Sequence, residues 1–192
     1  KEIVVKEVKT GKTYPETYDK LILSPGAQPI RIPTPGLDEA TNVFTLRNIP
    51  DTDKIRTFVD EQKPKTAAII GGGFIGLEMA ENLVERHVDV TVIDLANQIL
   101  APLDFEMAKL AQNEMENHGV RFELETVVSE FKDQGRTLIL KGGKMVQADM
   151  VIMAIGVRPE NALAVSSGLK IGPRGHILTT KTLQTIDARD DS

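Results

Sequence analysis

The clearest pattern in the chain is an alternation of short apolar runs with amphipathic stretches in its middle part. Apolar runs at 67–70, 88–93 and 120–124 are of the kind that forms strands buried on both faces of a sheet. Between them, apolar positions recur at helical spacing over 75–86 and 104–117. Strands that alternate with helices are typical of right-handed βαβ units, so the pattern predicts a parallel sheet.

The order of elements changes after residue 124. The next apolar runs are short, and glycine-containing turns at Gln134-Gly135 and Gly142-Gly143 separate them. They predict antiparallel strands at 127–131, 137–141 and 144–147. A buried strand then returns at 150–155 and ends at Gly156. The fold class we predict is therefore α/β, a Rossmann-like parallel sheet with an antiparallel β-meander insertion.

The two ends of the chain have a different pattern. Residues 1–23 predict strands, with a turn at Thr10-Gly11-Lys12 and an apolar run within 18–23. Prolines and glycines over 24–29 break regular structure, and 50–62 predicts a helix that ends at Lys63-Pro64. A last hairpin is predicted over 169–178. The domain limits we predict are 1–33, a linker with a helix at 34–63, a main domain at 64–180 and a returning segment at 181–192.

Composition narrows the classes of function. Hydrophobic residues make up 41% of the 192 residues and charged residues 27%, which is ordinary for a globular protein. A net charge of -5 and 4% aromatic residues argue against a nucleic-acid partner. No apolar run approaches the roughly 20 residues of a membrane span and no signal peptide opens the chain, so we expect no membrane partner and a cytoplasmic location.

Metal and thiol chemistry have little support in the sequence. The chain has no cysteine, which removes disulfides, thiolate ligands and cysteine nucleophiles within these residues. The histidines His87, His118 and His176 lie far apart and lack metal-ligand spacing. We therefore expect no metal, and we interpret His87 and His118 as residues that end helices.

Candidate chemistry is concentrated in a glycine-rich turn. Gly71-Gly72-Gly73-Phe74-Ile75-Gly76 directly follows a predicted strand and opens a predicted helix. In this context Gly71 permits a tight turn, Gly73 permits the backbone to approach a pyrophosphate, and Gly76 permits close packing of helix on strand. The helix N-terminus then favours the negative charge of the phosphates.

An acidic residue stands where a dinucleotide site needs one. Asp94 ends the next predicted strand, 21 positions after Gly73, and its carboxylate can accept hydrogen bonds from the adenosine ribose. No arginine follows to receive a 2′-phosphate, so the sequence favours NADH over NADPH. Two alternatives stay open: a chance arrangement in an unrelated α/β protein, and a methyltransferase that binds S-adenosylmethionine. The latter class generally has an acidic residue where this chain has Ile69-Ile70.

Five ordered segments make the chain resemble one family. It is similar to the central part of the flavoprotein pyridine nucleotide-disulfide oxidoreductases, and most of all to their NADH oxidase, NADH peroxidase and coenzyme A-disulfide reductase branch. The matching segments are residues 18–27, 69–78, 90–102, 154–159 and 183–185. The resemblance implies that 64–180 is an NAD(H)-binding domain and that 1–33 and 181–192 are parts of an FAD-binding domain.

The resemblance also implies roles for individual residues. The cofactor-binding set is Gly71, Gly72, Gly73, Phe74, Ile75, Gly76, Glu78, Asp94, Gly156, Ser24, Pro25 and Gly26. Phe74 corresponds to an aromatic residue that gates the nicotinamide pocket, although it could instead be a core residue under the helix. Ile75 would pack on the nicotinamide and Glu78 would orient it, unless Glu78 is only a solvated helix position. Gly156 would allow the cofactor close to the backbone.

Residues 24–26 match a loop near the adenosine half of the flavin. Relatives often have Thr-Gly where this chain has Pro25-Gly26, which puts a hydroxyl contact in doubt.

Parts of the family pattern are not found in these 192 residues. The first glycine-rich turn, the redox-active cysteine, the flavin-binding Gly-Asp and the dimer-forming C-terminal domain would all lie elsewhere. We therefore interpret the chain as a fragment without catalytic residues of its own. The intact protein is expected to be a homodimer that uses NADH and FAD and passes hydride from NADH to the flavin, with an electron acceptor that the sequence does not identify. The alternative is a non-catalytic NAD(H)-binding or redox-sensing module.

Overall fold

The computed structural model describes residues 1–188, and the chain divides into two compact units. The larger unit is residues 27–158, and the other combines residues 1–26 with the described residues from 159 onwards. The predicted limits of the NAD(H)-binding and FAD-binding domains stay a prediction. Residues 189–192 of the predicted returning segment lie outside the described residues. Within the described residues, no helix is both long and apolar enough to cross a membrane.

The larger unit contains the predicted alternation of strands and helices. Its first elements are β3 (Ala27–Pro29), β4 (Val43–Phe44), α1 (Ile49–Gln62), β5 (Thr66–Ile70), α2 (Phe74–Glu85), β6 (Asp89–Ile93), α3 (Phe105–Asn117) and β7 (Arg121–Glu123). They are followed by β8 (Val128–Lys132), β9 (Thr137–Leu140), β10 (Met145–Gln147), β11 (Met150–Met153) and β12 (Val157–Pro159). The elements predicted between residues 50 and 155 are thus confirmed to within a few residues at their ends.

Five strands of this unit form one parallel sheet. Their order is β4-β11-β5-β6-β7, and every neighbouring pair is parallel. Side chains on one face, such as Ile69, Val92 and Ile152, pack against the buried sides of α1 and α2. Because both faces of the sheet are covered, its strands are continuous apolar runs rather than alternating ones.

The antiparallel strands cover the other face of the sheet. They form a three-stranded meander with the order β10-β9-β8. Phe131, Leu138 and Leu140 from this meander pack against Ile93 and Val151 of the parallel sheet. The predicted fold class, a parallel sheet with a meander insertion, is confirmed.

Local signals in the sequence set the ends of the helices. Asn48 caps α1, because its side chain accepts a hydrogen bond from the backbone N–H of Asp51 at 3.1 Å. Lys63 adopts the left-handed conformation that ends this helix, directly before Pro64. His118 ends α3 with its backbone N–H and its ring near the Glu114 carbonyl, as predicted.

The sequence pattern predicts that Ile75, Met79, Ala80 and Leu83 share one side of α2, and of these the structure buries Ala80 and Leu83. Gly76, Leu77, Ala80 and Leu83 face the core, whereas Ile75 is 41% exposed. The reason is that Gly76 and Leu77 lie over β5, and this orientation turns Ile75 away from the core.

The second unit has a hairpin of β1 (Glu2–Lys6) and β2 (Thr13–Thr17), which confirms the predicted turn at residues 10–12. The strand expected within 18–23 is wrong, because no described strand pairs with these residues and Ile22 is 88% exposed. The hairpin predicted over 169–178 contains one isolated bridge, between Ile171 and Ile177, rather than two full strands. The unit also contains α4 (Ala162–Ser166).

Candidate functional site

The candidate site lies where the order of strands in the parallel sheet reverses. From β5 the chain runs through α2 to β6 on one side, whereas β11 pairs on the other side of β5. The carboxyl ends of β5 and β11 therefore lie side by side at the point where the strand order changes direction. In open α/β sheets this position is where ligands bind.

Gly71 forms the first part of the site and is required by the backbone geometry. Its φ angle is 115°, a conformation that side chains disfavour, and an added Cβ would overlap the carbonyl oxygen of Ala154 at the end of β11. Its N–H donates to Ile93 at 2.8 Å, and the N–H of Ala154 donates to Ile70 at 2.7 Å. Gly71 thus keeps the ends of three adjacent strands in contact.

Gly76 allows the helix to approach the strand. A Cβ at this position would overlap the carbonyl oxygen of Gly71 and would lie 3.2 Å from Cγ2 of Ile69 in β5. Its predicted role in close packing of helix on strand is therefore present in the fold.

Gly73 differs from the other two glycines because nothing in the fold requires it. An added Cβ would meet no atom within 4 Å, and its φ angle of -84° suits any residue. Gly73 is the N-cap of α2, and no side chain caps this helix end. Since the first N–H groups of a helix have no partner within the helix, the turn offers an uncapped, solvent-facing set of amide donors.

Asp94 binds two backbone amides at the edge of the site. Its Oδ2 accepts a hydrogen bond from the N–H of Gly72 at 2.5 Å, and its Oδ1 accepts one from the N–H of Ala96 at 2.7 Å. A carboxylate has about four lone-pair sites, so the two bonds leave further acceptor capacity. The side chain is half-buried at the carboxyl end of β6.

The glycine turn, Asp94 and the end of β11 border one groove of about 350 Å³. The groove brings together seven of the predicted residues: Gly71, Gly72, Gly73, Phe74, Ile75, Asp94 and Gly156. None of the described residues that line it is lysine or arginine. The favourable potential for an anion therefore comes from backbone amides and the helix N-terminus.

Residue-level reasoning missed other groove-lining residues, namely Ala96, Gln98, Leu100, Ala101, Pro102, Ala154 and Ile155. Most of them are small or apolar loop residues, which carry no chemical signal of their own. The segments 90–102 and 154–159, which carry the family resemblance, contain all of them. Leu100 is notable because its N–H donates to the Gly72 carbonyl at 2.8 Å and so fixes this loop beside the turn.

Phe74 extends from the first turn of α2 into solvent. It is 62% exposed, so within this chain it is not a core residue under the helix. Ile75, beside it, also lines the groove. Two exposed apolar side chains next to an amide-lined turn provide a surface for a flat ring.

Five predicted residues are not among those that line the groove. Glu78 is exposed and borders a different depression, between α2 and α3. Gly76 is buried behind the turn rather than lining the groove. Residues 24–26 are exposed and belong to the other unit.

A second, mainly apolar depression of about 490 Å³ adjoins the groove in the same unit. It shares Gly71, Asp94 and Ile155 with the groove and continues to Val127 and Pro33. Asp94 therefore lies between two depressions.

Asp149, the carboxylate with a shifted pKa, lies at the amino ends of the strands, opposite the groove. Burial by itself raises the pKa of Asp149, but hydrogen bonds from the N–H groups of Lys65 and Thr66 and from the Thr66 hydroxyl, with the charge of Arg136, lower it overall. These bonds join the residues before β5 to those before β11. Among the described residues no cluster of three potential metal ligands occurs.

Comparison with known proteins identifies relatives over nearly the whole chain. The profile of the pyridine nucleotide-disulphide oxidoreductase family matches residues 1–189. The chain is 39% identical over 169 residues to an NADH oxidase of Methanocaldococcus jannaschii, covering 85% of this chain and 37% of that protein. It is 32% identical over 183 residues to a coenzyme A disulfide reductase of Staphylococcus epidermidis, covering 95% and 40%. The chain thus spans less than half the length of these relatives.

Solved structures have the same fold. The reduced CoADR-RHD of Bacillus anthracis superposes with a TM-score of 0.94 and 49% identity, over 97% of this chain and 34% of that one. A water-forming NADH oxidase of Lactobacillus brevis bound to NADH has a TM-score of 0.83 and 26% identity, over 96% and 40%. Its engineered NADPH oxidase form bound to NADPH has a TM-score of 0.84 and 25% identity, over 96% and 40%.

Proposed function

The chain belongs to the pyridine nucleotide-disulphide oxidoreductase family, and from this premise we propose that residues 27–158 bind NADH and position its nicotinamide for hydride transfer to a flavin. The observation that carries the proposal is the uncapped N-terminus of α2, with Gly73 open to solvent, at the reversal point of the sheet. When bound, NADH supplies the hydride. This chain supplies the binding and the orientation.

The pyrophosphate is assigned to the first turn of α2. The amides of Gly73, Phe74 and Ile75 lie at the positive end of the helix dipole, and the bare Cα of Gly73 leaves space for phosphate oxygens. Because the groove has no basic side chain among its described lining residues, these amides carry the recognition of the anion.

The adenosine ribose is assigned to Asp94. Its remaining lone pairs can accept hydrogen bonds from the ribose hydroxyls, and a 2′-phosphate there would meet a like charge. The engineered NADPH oxidase supports this assignment. In that enzyme a glycine is replaced by alanine. An aspartate that follows this glycine at the same interval as Asp94 follows Gly76 is also replaced by alanine, and the next residue becomes arginine.

The two ring systems of the cofactor are assigned to opposite sides of Asp94. The apolar depression near Val127 suits the adenine, and the groove beside Phe74, Ile75 and Gly156 suits the nicotinamide. Gly156 contributes here because it has no side chain, and an added Cβ would have only Ile30 nearby, at 3.8 Å.

The test is a calorimetric titration of NADH and NADPH against the wild-type chain and against a variant with Asp94→Ala and Leu95→Arg. Leu95 is 71% exposed, so the arginine can reach a phosphate without disturbing the core. The wild type is expected to prefer NADH. The variant is expected to shift the ratio of the two dissociation constants towards NADPH by roughly tenfold or more, as expected for the exchange of charge-assisted hydrogen bonds.

A charge-matched control is Leu103→Arg with Asp104→Ala, which makes the same change of charge outside the residues that line the groove. It is expected to leave the ratio unchanged. An equal shift in this control would attribute the effect to net charge. Failure of the wild type to bind either dinucleotide would overturn the proposal.

The proposal for the whole protein is broader. It includes homodimerisation and a cytoplasmic location. It also includes a nicotinamide contact from Glu78 and FAD binding with a contribution from Ser24, Pro25 and Gly26. The electron acceptor is left open, because no described residue of the groove distinguishes oxygen, peroxide and a disulfide or persulfide.

A further inference from the structure

The hydrogen bonds of Asp94 point to a second role for this residue besides ribose recognition. We propose that Asp94 is a positioning residue that holds the glycine turn in the geometry that binds phosphates. We call the two hydrogen bonds that the Asp94 carboxylate accepts from the N–H groups of Gly72 and Ala96 the clamp. Its effect on cofactor binding rests on the proposed function, but the hydrogen bonds themselves lie within the chain.

The clamp connects two loops that are separate in the sequence. Gly72 follows β5, and Ala96 follows β6; the carboxylate of Asp94 accepts from the N–H of both, at 2.5 Å and 2.7 Å. The Gly72 carbonyl is fixed as well, by the N–H of Leu100 at 2.8 Å. Both peptide groups of Gly72 are thus held by residues of the second loop.

The position is tightly packed and buried, so a side chain would fit only if its neighbours shifted. Gly72 is buried, and an added Cβ would lie 3.3 Å from Oδ2 of Asp94 and 3.2 Å from Cγ2 of Ile99. Loss of the carboxylate would leave a buried N–H without its acceptor, which is more costly than loss of an exposed hydrogen bond. The turn would then move to find another partner.

The clamp also decides which amides remain for the cofactor. Since the N–H of Gly72 is committed to Asp94, phosphate oxygens are left with the amides of Gly73 and of the first turn of α2. The direction of these amides depends on the turn that Asp94 holds. Removal of the carboxylate should therefore weaken ligands that make no contact with Asp94 themselves.

Asparagine is not a substitute at this position. An amide side chain has one oxygen and one NH₂ group, so it can accept from Gly72 or from Ala96 while its NH₂ faces the other N–H. Asp94→Asn is therefore expected to resemble Asp94→Ala rather than the wild type.

The first test uses the wild-type 192-residue chain without any nucleotide. Nuclear magnetic resonance can detect the coupling through the hydrogen bond between the Gly72 amide nitrogen and the Asp94 carboxyl carbon, together with the exchange rate of the Gly72 amide proton. We expect a measurable coupling and slow exchange. An absent coupling with fast exchange would overturn the clamp, and this measurement needs no variant that could fail to fold.

The second test separates the clamp from ribose recognition. ADP and 2′,3′-dideoxy-ADP, which lacks the ribose hydroxyls, are titrated against the wild type, Asp94→Ala, Asp94→Asn and the charge control Asp104→Ala. The clamp predicts that both Asp94 variants bind dideoxy-ADP roughly tenfold more weakly than the wild type. Asp104→Ala is expected to bind it as the wild type does, since the Asp104 side chain makes no capping hydrogen bond.

The outcomes distinguish the two proposals. Weaker ADP binding with unchanged dideoxy-ADP binding would overturn the clamp's effect on the cofactor and leave ribose recognition in place. Failure of the wild type to bind either nucleotide would overturn the proposed function and, with it, this effect. The coupling measured without nucleotide would still decide whether Asp94 holds the turn.

Discussion

At the scale of single residues, the three glycines of the turn serve different purposes. Gly71 and Gly76 lack side chains because neighbouring carbonyl oxygens occupy the space, whereas Gly73 borders open solvent. In our proposal this open position, beside the first amides of α2, accommodates the cofactor's phosphates. Gly71 and Gly76 are therefore required by the fold, whereas Gly73 is assigned to ligand binding.

A matched pair of substitutions tests that difference. Gly71→Ala should lower the free energy of unfolding by about 2–4 kcal/mol, because it combines a disfavoured φ angle with overlap at Ala154. Gly73→Ala should change it by less than about 0.5 kcal/mol and weaken NADH binding about tenfold or more. Urea denaturation and calorimetric titration measure the two effects. Equal stability losses, or unchanged NADH binding in Gly73→Ala, would contradict the distinction.

The sequence identified the glycines and Asp94 but not how they are connected. The spacing of Gly71, Gly73 and Gly76 is a local pattern that carries its own meaning. The hydrogen bond between Gly72 and Asp94 joins residues 22 positions apart, and it depends on the pairing of β5 with β6. Such a contact follows from tertiary structure and has no signal in the sequence.

At the scale of elements, the sheet is fixed at both of its ends. The glycine turn joins the carboxyl ends of β5 and β11, and Asp149 joins the residues at their amino ends. The Asp149 carboxylate accepts from the N–H groups of Lys65 and Thr66 at 2.9 Å and 3.1 Å. These bonds lower the pKa of Asp149 against the opposing effect of burial.

The lowered pKa gives a pH dependence with a definite sign. The ionised carboxylate stabilises the fold above about pH 4, and this contribution is lost as the pH falls through the lowered folded-state pKa. Asp149→Asn should therefore reduce the free energy of unfolding by about 1–3 kcal/mol at pH 7. The difference from the wild type should shrink in acid. Urea denaturation across this pH range measures it, and a difference that grows in acid would contradict the assignment.

Elements with a clear local pattern were predicted, whereas short strands and apolar runs whose fate depends on a distant partner were not. Helix α1 has an Asn48 cap and ends before Pro64, and both signals lie within a few residues of the helix. The apolar run within 18–23 looks like a strand, yet no described strand lies beside it. Strand β4 was missed because it has only two residues, and its pairing with β11 involves residues more than 100 positions away.

At the scale of the whole molecule, the described groove lies within one unit, whereas the relatives are more than twice as long as this chain. All described residues that line the groove belong to residues 27–158. The chain covers 37% and 40% of the length of these two relatives, and our proposal assigns only Ser24, Pro25 and Gly26 of it to flavin binding.

The isolated chain is therefore expected to bind NADH but to purify without flavin and without turnover. Visible absorbance of the purified chain and the oxidation of NADH with added electron acceptors measure this. A yellow preparation whose flavin absorbance is bleached by NADH would contradict the expectation. Addition of free FAD is the control, and it should not restore turnover.

The sheet order also has a consequence for how the molecule is assembled. Strand β4 pairs with β11 alone, and β11 follows the three strands of the meander in the sequence. During synthesis β5, β6 and β7 can associate early. Strand β4 can pair only after β11 has been synthesised, more than 100 residues later. Ala154, Ile155 and Gly156 are thus the last residues of the groove to be synthesised, and under the proposed function we expect a nascent chain to bind the dinucleotide only after that stretch has left the ribosome.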